Sequence, residues 1–166
     1  MSKKYLTLLI LLPPVVIADQ LTKLYVDGEM RLYQSIEVLE NFFHFTYVRN
    51  KGAAFGIFSG ANEAYRTPFF LVTTTIAIVV ILVMLYRYRE EALLLPVSLS
   101  LILGGAVGNM IDRVRLGEVI DFIDIHWYQY HWPAFNIADM AISGGVGLLI
   151  LHMLTEERKE ECIPSS

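Results

Sequence analysis

Charge is distributed very unevenly along this chain, and that constrains its fold more than any other feature. Four stretches, Tyr5 to Leu24, Thr67 to Tyr86, Ala92 to Ile111 and Ile137 to Thr155, hold only Asp19, Lys23 and Asp139 of the chain's 13 Lys and Arg and 17 Asp and Glu. A soluble protein spreads charge over its surface, whereas a bilayer expels it from continuous runs. At 1.5 Å per residue each stretch reaches roughly 30 Å, the thickness of a bilayer's hydrocarbon core. The pattern predicts an integral membrane protein, mainly α, with four transmembrane helices at about 5–24, 67–86, 92–111 and 137–155 in one domain, 1–166. A hydrophobic fraction of 55% excludes a disordered, collagen-like or DNA-wrapping chain, so no nucleic-acid partner is expected. The one cysteine, Cys162, excludes an intrachain disulfide, a Cys-based zinc cluster and a redox pair.

Lys3 and Lys4 before an apolar run also suit a cleaved secretory signal, but no A-x-A-like site follows and the run continues past Asp19 toward Tyr25. Pro13 and Pro14 are expected to bend the first span, which membrane helices tolerate. Four spans put both termini on one side. Lys3, Lys4, Arg87, Arg89, Arg158 and Lys159 crowd the span ends there, which favours cytoplasmic termini.

Two long segments, 26–66 and 112–136, then face outward. Phe43, Phe45 and Tyr47 alternate with other residues, a period of two that fits a strand with one buried face. Arg49-Asn50-Lys51-Gly52 reads as a turn after it, with Gly52 free to take positive φ. Ala53 to Gly56 suits a resumed strand or a lipid contact, so Phe43 to Phe58 is expected to form a small β platform on the membrane. In the second segment Val119 to Ile125 looks extended, and Trp127, Tyr128, Tyr130 and Trp132 resemble an interfacial aromatic belt.

Ionisable groups in or beside a span are costly unless hydrated or paired, which makes each a functional candidate. Asp19 and Lys23 share a helical face at the end of the first span, an arrangement that also suits an i,i+4 pair at the interface. Asn109, Asp112 and Arg113 end the third span, with Asp112 expected to pair with Arg113 and to orient rather than react. Asn136 and Asp139 open the fourth with the spacing of a capping box, which leaves room for a second role. Asn109 and Asn136, each one helical turn from an acid, are candidate donors. Asp121, set between Ile120 and Phe122, is poorly placed for a solvated surface. Desolvation and a second carboxylate nearby would raise its pKa, the condition under which an acid pair shares one proton and activates water. Asp124, three residues on, falls on the opposite strand face.

Other chemistries lack their residues. No G-x-S-x-G elbow occurs, His44, His126, His131 and His152 form no H-E-x-x-H, and the Gly104-Gly105 and Gly144-Gly145 pairs lie within spans, where they suit helix packing better than phosphate binding. No metal and no cofactor are expected. A transporter would want polar groups through the depth of the bilayer, and a scaffold would need no matched acids.

Five blocks then stand in order: Asp19-Gln20-Leu21-Thr22-Lys23, Asn50-Lys51-Gly52-Ala53-Ala54-Phe55-Gly56, Gly104 to Arg113, Gly117 to Ile123, and Trp132 to Asp139. Together they resemble the signature blocks of the bacterial lipoprotein signal peptidases, signal peptidase II. The resemblance implies an intramembrane aspartic endopeptidase with Asp121 and Asp139 as its catalytic dyad. It implies positioning roles for Asp19, Asn50, Asn109, Asp112, Arg113 and Asn136, and Lys23 and Gly52 of the same blocks join them as candidates. Its implied substrate is a diacylglyceryl-modified prolipoprotein, cut on the amino side of the lipidated cysteine, and sensitivity to globomycin follows. The expected partners are this substrate and membrane lipids, for a protein acting as a monomer.

Overall fold

The structure, a computed structural model, describes residues 2–52, 60, 62–89 and 92–161, with side chains described up to residue 155 except that of residue 63. The expected continuation of the platform over Ala53 to Phe58, Cys162 and the side chains of the acidic tail lie outside the described residues.

Four helices dominate: α1 (Lys3–Glu29), α2 (Glu63–Arg87), α3 (Leu94–Leu116) and α4 (Ile137–Glu161). All four are long and apolar enough to cross a bilayer. They overrun the expected spans, α1 by continuing to Glu29 and α3 to Leu116. α1 runs on through Pro13 and Pro14. Asn62, unnoticed in the sequence, caps α2 by accepting from the Ala64 N–H at 2.9 Å.

α3 is the central helix. Leu95, Leu99 and Leu103, spaced by four, stack against Ile81 and Leu85 of α2. The outward faces of the other helices stay apolar and exposed, as at Leu9, Ile17, Val72, Val79, Ile150 and Met153, which suits lipid contact. Because lipid offers little hydrophobic drive for helices to associate, close approach at small residues carries the packing. A Cβ at Gly105 would collide with the Ala138 carbonyl of α4, and one at Gly108 would lie 2.5 Å from Asp19 Oδ2 of α1. Gly104, Gly105 and Gly145 therefore act as the sequence suggests, as contact points between spans, whereas a Cβ at Gly144 would meet nothing within 4 Å.

At one end of the bundle the Lys4 ammonium donates to the Tyr86 and Tyr88 carbonyls, each at 2.7 Å, and Tyr88 packs edge-on against His152 of α4. The start of α1, the end of α2 and the last turns of α4 thus meet at the same end.

At the other end the two connecting segments fold together. β1 (Ser35–Leu39), β2 (Phe43–Asn50), β3 (Val119–Trp127) and β4 (Tyr130–His131) form one antiparallel sheet in chain order. The second segment is therefore part of the same platform as the first, since β3 pairs along β2 from Phe43↔Ile125 to Asn50↔Val119. Strand pairing takes Arg49 and Asn50, expected in a turn, into β2. β1 left no trace in the sequence because all five of its residues are exposed and so carry no alternation. Val26, Tyr47, Ile120 and Phe122 form a second core that fastens the sheet to α1. The Tyr47 hydroxyl donates to Asp27, and Arg49 donates to both groups at 2.8 and 2.9 Å. Among the described residues the left-handed glycine is Gly117 (φ 72°), which ends α3 and turns the chain into β3. The turn at Gly52 closes when its N–H donates to Asn50 Oδ1 at 3.0 Å.

Candidate active site

Where the sheet meets the ends of α1, α3 and α4, a cavity of about 440 Å³ opens, lined by Asn50, Gly52, Asn109, Arg113, Asp121 and Asp139 on its polar side. Trp132, Phe135, Met140 and Ile142 give it an apolar wall. Asp121 reaches it from β3 and Asp139 from the first turn of α4, so residues 18 apart in sequence share one chamber because β3 is antiparallel to its neighbours and α4 begins beside it.

Each carboxylate oxygen of these two acids meets a donor. Asp121 Oδ1 accepts from Asn136 Nδ2 at 2.7 Å and Oδ2 from Asn50 Nδ2 at 3.0 Å. Asp139 Oδ1 accepts from Asn109 Nδ2 at 2.8 Å and Oδ2 from the Asn136 N–H at 3.2 Å. The last bond is half of a reciprocal cap, because Asn136 Oδ1 accepts from the Asp139 N–H at 2.9 Å. Asn136 is thus both the helix cap and a second-acid contact, as its position at the start of α4 allowed. Burial pushes the Asp121 carboxyl up to about 7, and the neighbouring Asp139 charge pushes the same way against the hydrogen bonds from Asn50 and Asn136. Asp121 can therefore exchange a proton near neutrality.

Beneath the cavity lies a fully buried charge cluster. The Lys23 ammonium sits 2.9 Å from Asp19 Oδ2 and 3.0 Å from Asp112 Oδ2, and donates to Asn109 Oδ1 at 2.8 Å, so its three protons have three acceptors. Asp19 also accepts from the Ala138 N–H at 2.9 Å, one of the donors left unpaired at the start of α4, and Asp112 accepts from the Ile120 N–H at 3.1 Å at the start of β3. The cluster therefore ties down both elements that carry the acids of the cavity.

These contacts change two sequence expectations. Asp19 and Lys23 do share a helical face, but at 0% and 1% exposure they lie inside the protein rather than at an interface. Asp112 does not pair with Arg113, since adjacent residues on a helix point about 100° apart and Asp112 faces α1. Arg113 instead donates to the Gly52 carbonyl at 3.3 Å and covers the Phe70 ring at 4.7 Å. The sequence also missed Gln20, whose amide lies 3.1 to 3.2 Å from Asp19 Oδ2, the Gly108 carbonyl and Asp112 Oδ1, and missed the wall at Trp132 and Phe135. A polar Gln beside Asp19 in an apolar span was the available signal for the first; the aromatic run was read as a belt. Asp124 points away from the cavity, to Thr46 and His131.

Residues 11–155 match the family described as Signal peptidase (SPase) II. The chain belongs to the signal peptidase II family. It is 54% identical over 144 residues to the lipoprotein signal peptidase of Syntrophotalea carbinolica, covering 87% of this chain and 88% of the relative. It is 45% identical over 147 residues to that of Bacillus velezensis, covering 89% and 93%. A solved structure described as a bacterial membrane enzyme obtained by the in meso method at 2.3 Å resolution superposes with a TM-score of 0.84 at 36% identity, covering 96% of this chain and 94% of the other. As a signal peptidase II, the chain is a multi-pass membrane hydrolase of peptide bonds, of the aspartic-protease type.

Proposed function

We propose that this signal peptidase II cleaves diacylglyceryl-modified prolipoproteins on the amino side of the lipidated cysteine, with Asp121 and Asp139 as the catalytic dyad. The observation that carries the assignment is that these two acids share one cavity while each carboxylate is held by asparagine side chains, Asn50 and Asn136 on one and Asn109 on the other. With one donor already on each oxygen, the remaining lone pairs are directed to water and substrate.

In the reaction, the ionised member of the pair takes a proton from water as the water oxygen attacks the scissile carbonyl carbon. The protonated member gives its proton to the carbonyl oxygen, and a neutral tetrahedral diol forms. The first acid then returns a proton to the amide nitrogen as the C–N bond breaks, while the second takes back a proton from the diol. The products are a free carboxyl on the signal peptide and a free amine on the lipidated cysteine, with no covalent enzyme intermediate. Asp19, Lys23 and Asp112 position β3 and α4, and Gly52 and Arg113 form the rim where substrate main chain would lie. The apolar wall at Trp132, Phe135 and Met140 suits the acyl chains and the apolar signal helix. Both termini face the cytoplasm and the cavity opens near the outer face of the bacterial inner membrane, an orientation that a reporter fused after Ser166 tests directly.

The test is cleavage by the purified monomer in detergent of a diacylglyceryl-modified prolipoprotein, its unlipidated form serving as control. Mass spectrometry should find a product beginning at the lipidated cysteine, formed only from the lipidated precursor and blocked by globomycin. Equal cleavage of both precursors, or a cut elsewhere, would contradict the assignment.

A further inference from the structure

Strand pairing assembles a second chemical cluster on the sheet, away from the cavity. His44 on β2 stands directly opposite Asp124 on β3, and His126 follows two residues later on the same face of β3. His44, Asp124 and His126 each offer one ligand atom, and the three atoms lie within 4.8 Å of one another. The His44 and His126 rings meet edge-on at 4.4 Å. His126 Nδ1 is buried without a hydrogen-bond partner in a residue only 5% exposed, and His44 Nε2 is buried with no hydrogen bond and only the Glu37 carboxylate beside it. Buried imidazole nitrogens normally find a partner, because leaving one unsatisfied is costly.

We propose that His44, Asp124 and His126 bind a divalent transition-metal ion of the Zn2+ type. Two imidazoles and one carboxylate are the donor set that borderline ions such as Zn2+ take, while Mg2+ and Ca2+ prefer oxygen alone. Bonds of about 2.0 to 2.2 Å place tetrahedral ligand atoms roughly 3.4 Å apart, so small side-chain rotations close the present spacing around an ion. The surroundings supply the second layer such sites use. His131, which pairs opposite His126 on β4 and stacks on it at 4.5 Å, brings Nδ1 to 3.0 Å from Asp124 Oδ1. The Thr46 hydroxyl donates to Asp124 Oδ2 at 3.3 Å, and Ser35 Oγ lies 3.3 Å from His44 Nδ1, leaving Nε2 to ligate. The Glu37 carboxylate, 3.4 Å from His44 Nε2, is within reach as a fourth ligand or a competitor for that nitrogen.

The bound ion would link β2 to β3 independently of the dyad, because Asp121 lies three residues before Asp124 and faces the opposite side of the strand. The sequence expectation of no metal rested on the absence of a linear motif; these ligands meet only through the register of two strands 80 residues apart.

The experiment uses untagged, full-length protein in detergent, stripped with chelator and titrated with ZnCl2 against a chromophoric zinc indicator. Wild type should take up one equivalent per chain, with two imidazole nitrogens in the X-ray absorption spectrum. His44→Gln and Asp124→Asn should each weaken binding at least tenfold, and His152→Gln, at the opposite end of the bundle, should bind as wild type does. Thermal unfolding without zinc identifies any variant that has lost its fold, and the half-buried His44 is the safer of the two substitutions. Absence of stoichiometric binding, uptake unchanged in both folded variants, or uptake lost in Asp121→Asn instead would overturn the site.

Discussion

Lys23→Met isolates the part played by the buried charge cluster. The substitution keeps the aliphatic length of the side chain and removes the one cation shared by Asp19 and Asp112, both at 0% exposure, while stripping Asn109 Oδ1 of a donor. Removing one partner of a buried ion pair costs about 3–5 kcal/mol because the other charge stays buried and uncompensated. Here two carboxylates face each other across the gap, so the upper part of that range applies. For a chain of this length each kcal/mol moves the melting point by about 2–4 °C, so the variant should unfold roughly 10 °C or more below wild type in detergent. Adding Asp112→Asn removes one of the stranded charges and should restore part of the loss, although the Ile120 N–H keeps an acceptor. A Lys23→Met protein that melts within 2 °C of wild type, or a double variant less stable than the single one, would refute the electrostatic argument.

Cleavage rate should fall as pH rises through about 7, because Asp121 holds its proton up to that range and a pair with both acids ionised cannot protonate the carbonyl. Asn50→Ala removes one hydrogen bond to the Asp121 carboxylate and should move this alkaline limb upward by about one pH unit; an unmoved limb would mean that another group sets it. Gly108→Ala places a Cβ 2.5 Å from Asp19 Oδ2, displacing the acid that holds the start of α4, and should lower activity at least about tenfold while the protein still inserts; unchanged kinetics would show that the helix contact is slack. Asn136→Ala loses a helix cap worth about 1 kcal/mol and a donor to Asp121, so kcat should fall far more than the melting point, and the opposite pattern would make Asn136 a cap alone.

The four spans were legible because a bilayer imposes length and charge rules that a sequence displays directly. β2 and β3 were legible from alternation at Phe43, Phe45 and Tyr47 and from the branched run around Asp121. β1 was not, because an exposed edge strand has no buried face to leave a period. Near the cavity, residues were readable as candidates but their partners were not. Helical spacing put Asp19 with Lys23 and Asn136 with Asp139, both within one element, whereas Lys23 with Asp112 and Asn50 with Asp121 depend on how separate elements dock. The mistaken Asp112–Arg113 pairing shows the same limit, since sequence adjacency is a poor guide to facing on a helix. The metal-type cluster on β2 and β3 is the extreme case, set wholly by strand register.

The most direct test of the central claim is single-turnover cleavage of a diacylglyceryl-modified prolipoprotein by wild type, Asp121→Asn and Asp139→Asn, each shown by thermal unfolding to be folded. Asn keeps the shape of each side chain and its capacity to accept a hydrogen bond while abolishing proton exchange. Wild type should cleave, and each variant should fall by at least about 10³-fold, in line with the loss of an essential proton-transfer group. A folded Asp121→Asn or Asp139→Asn that cleaves within tenfold of wild type would contradict the dyad.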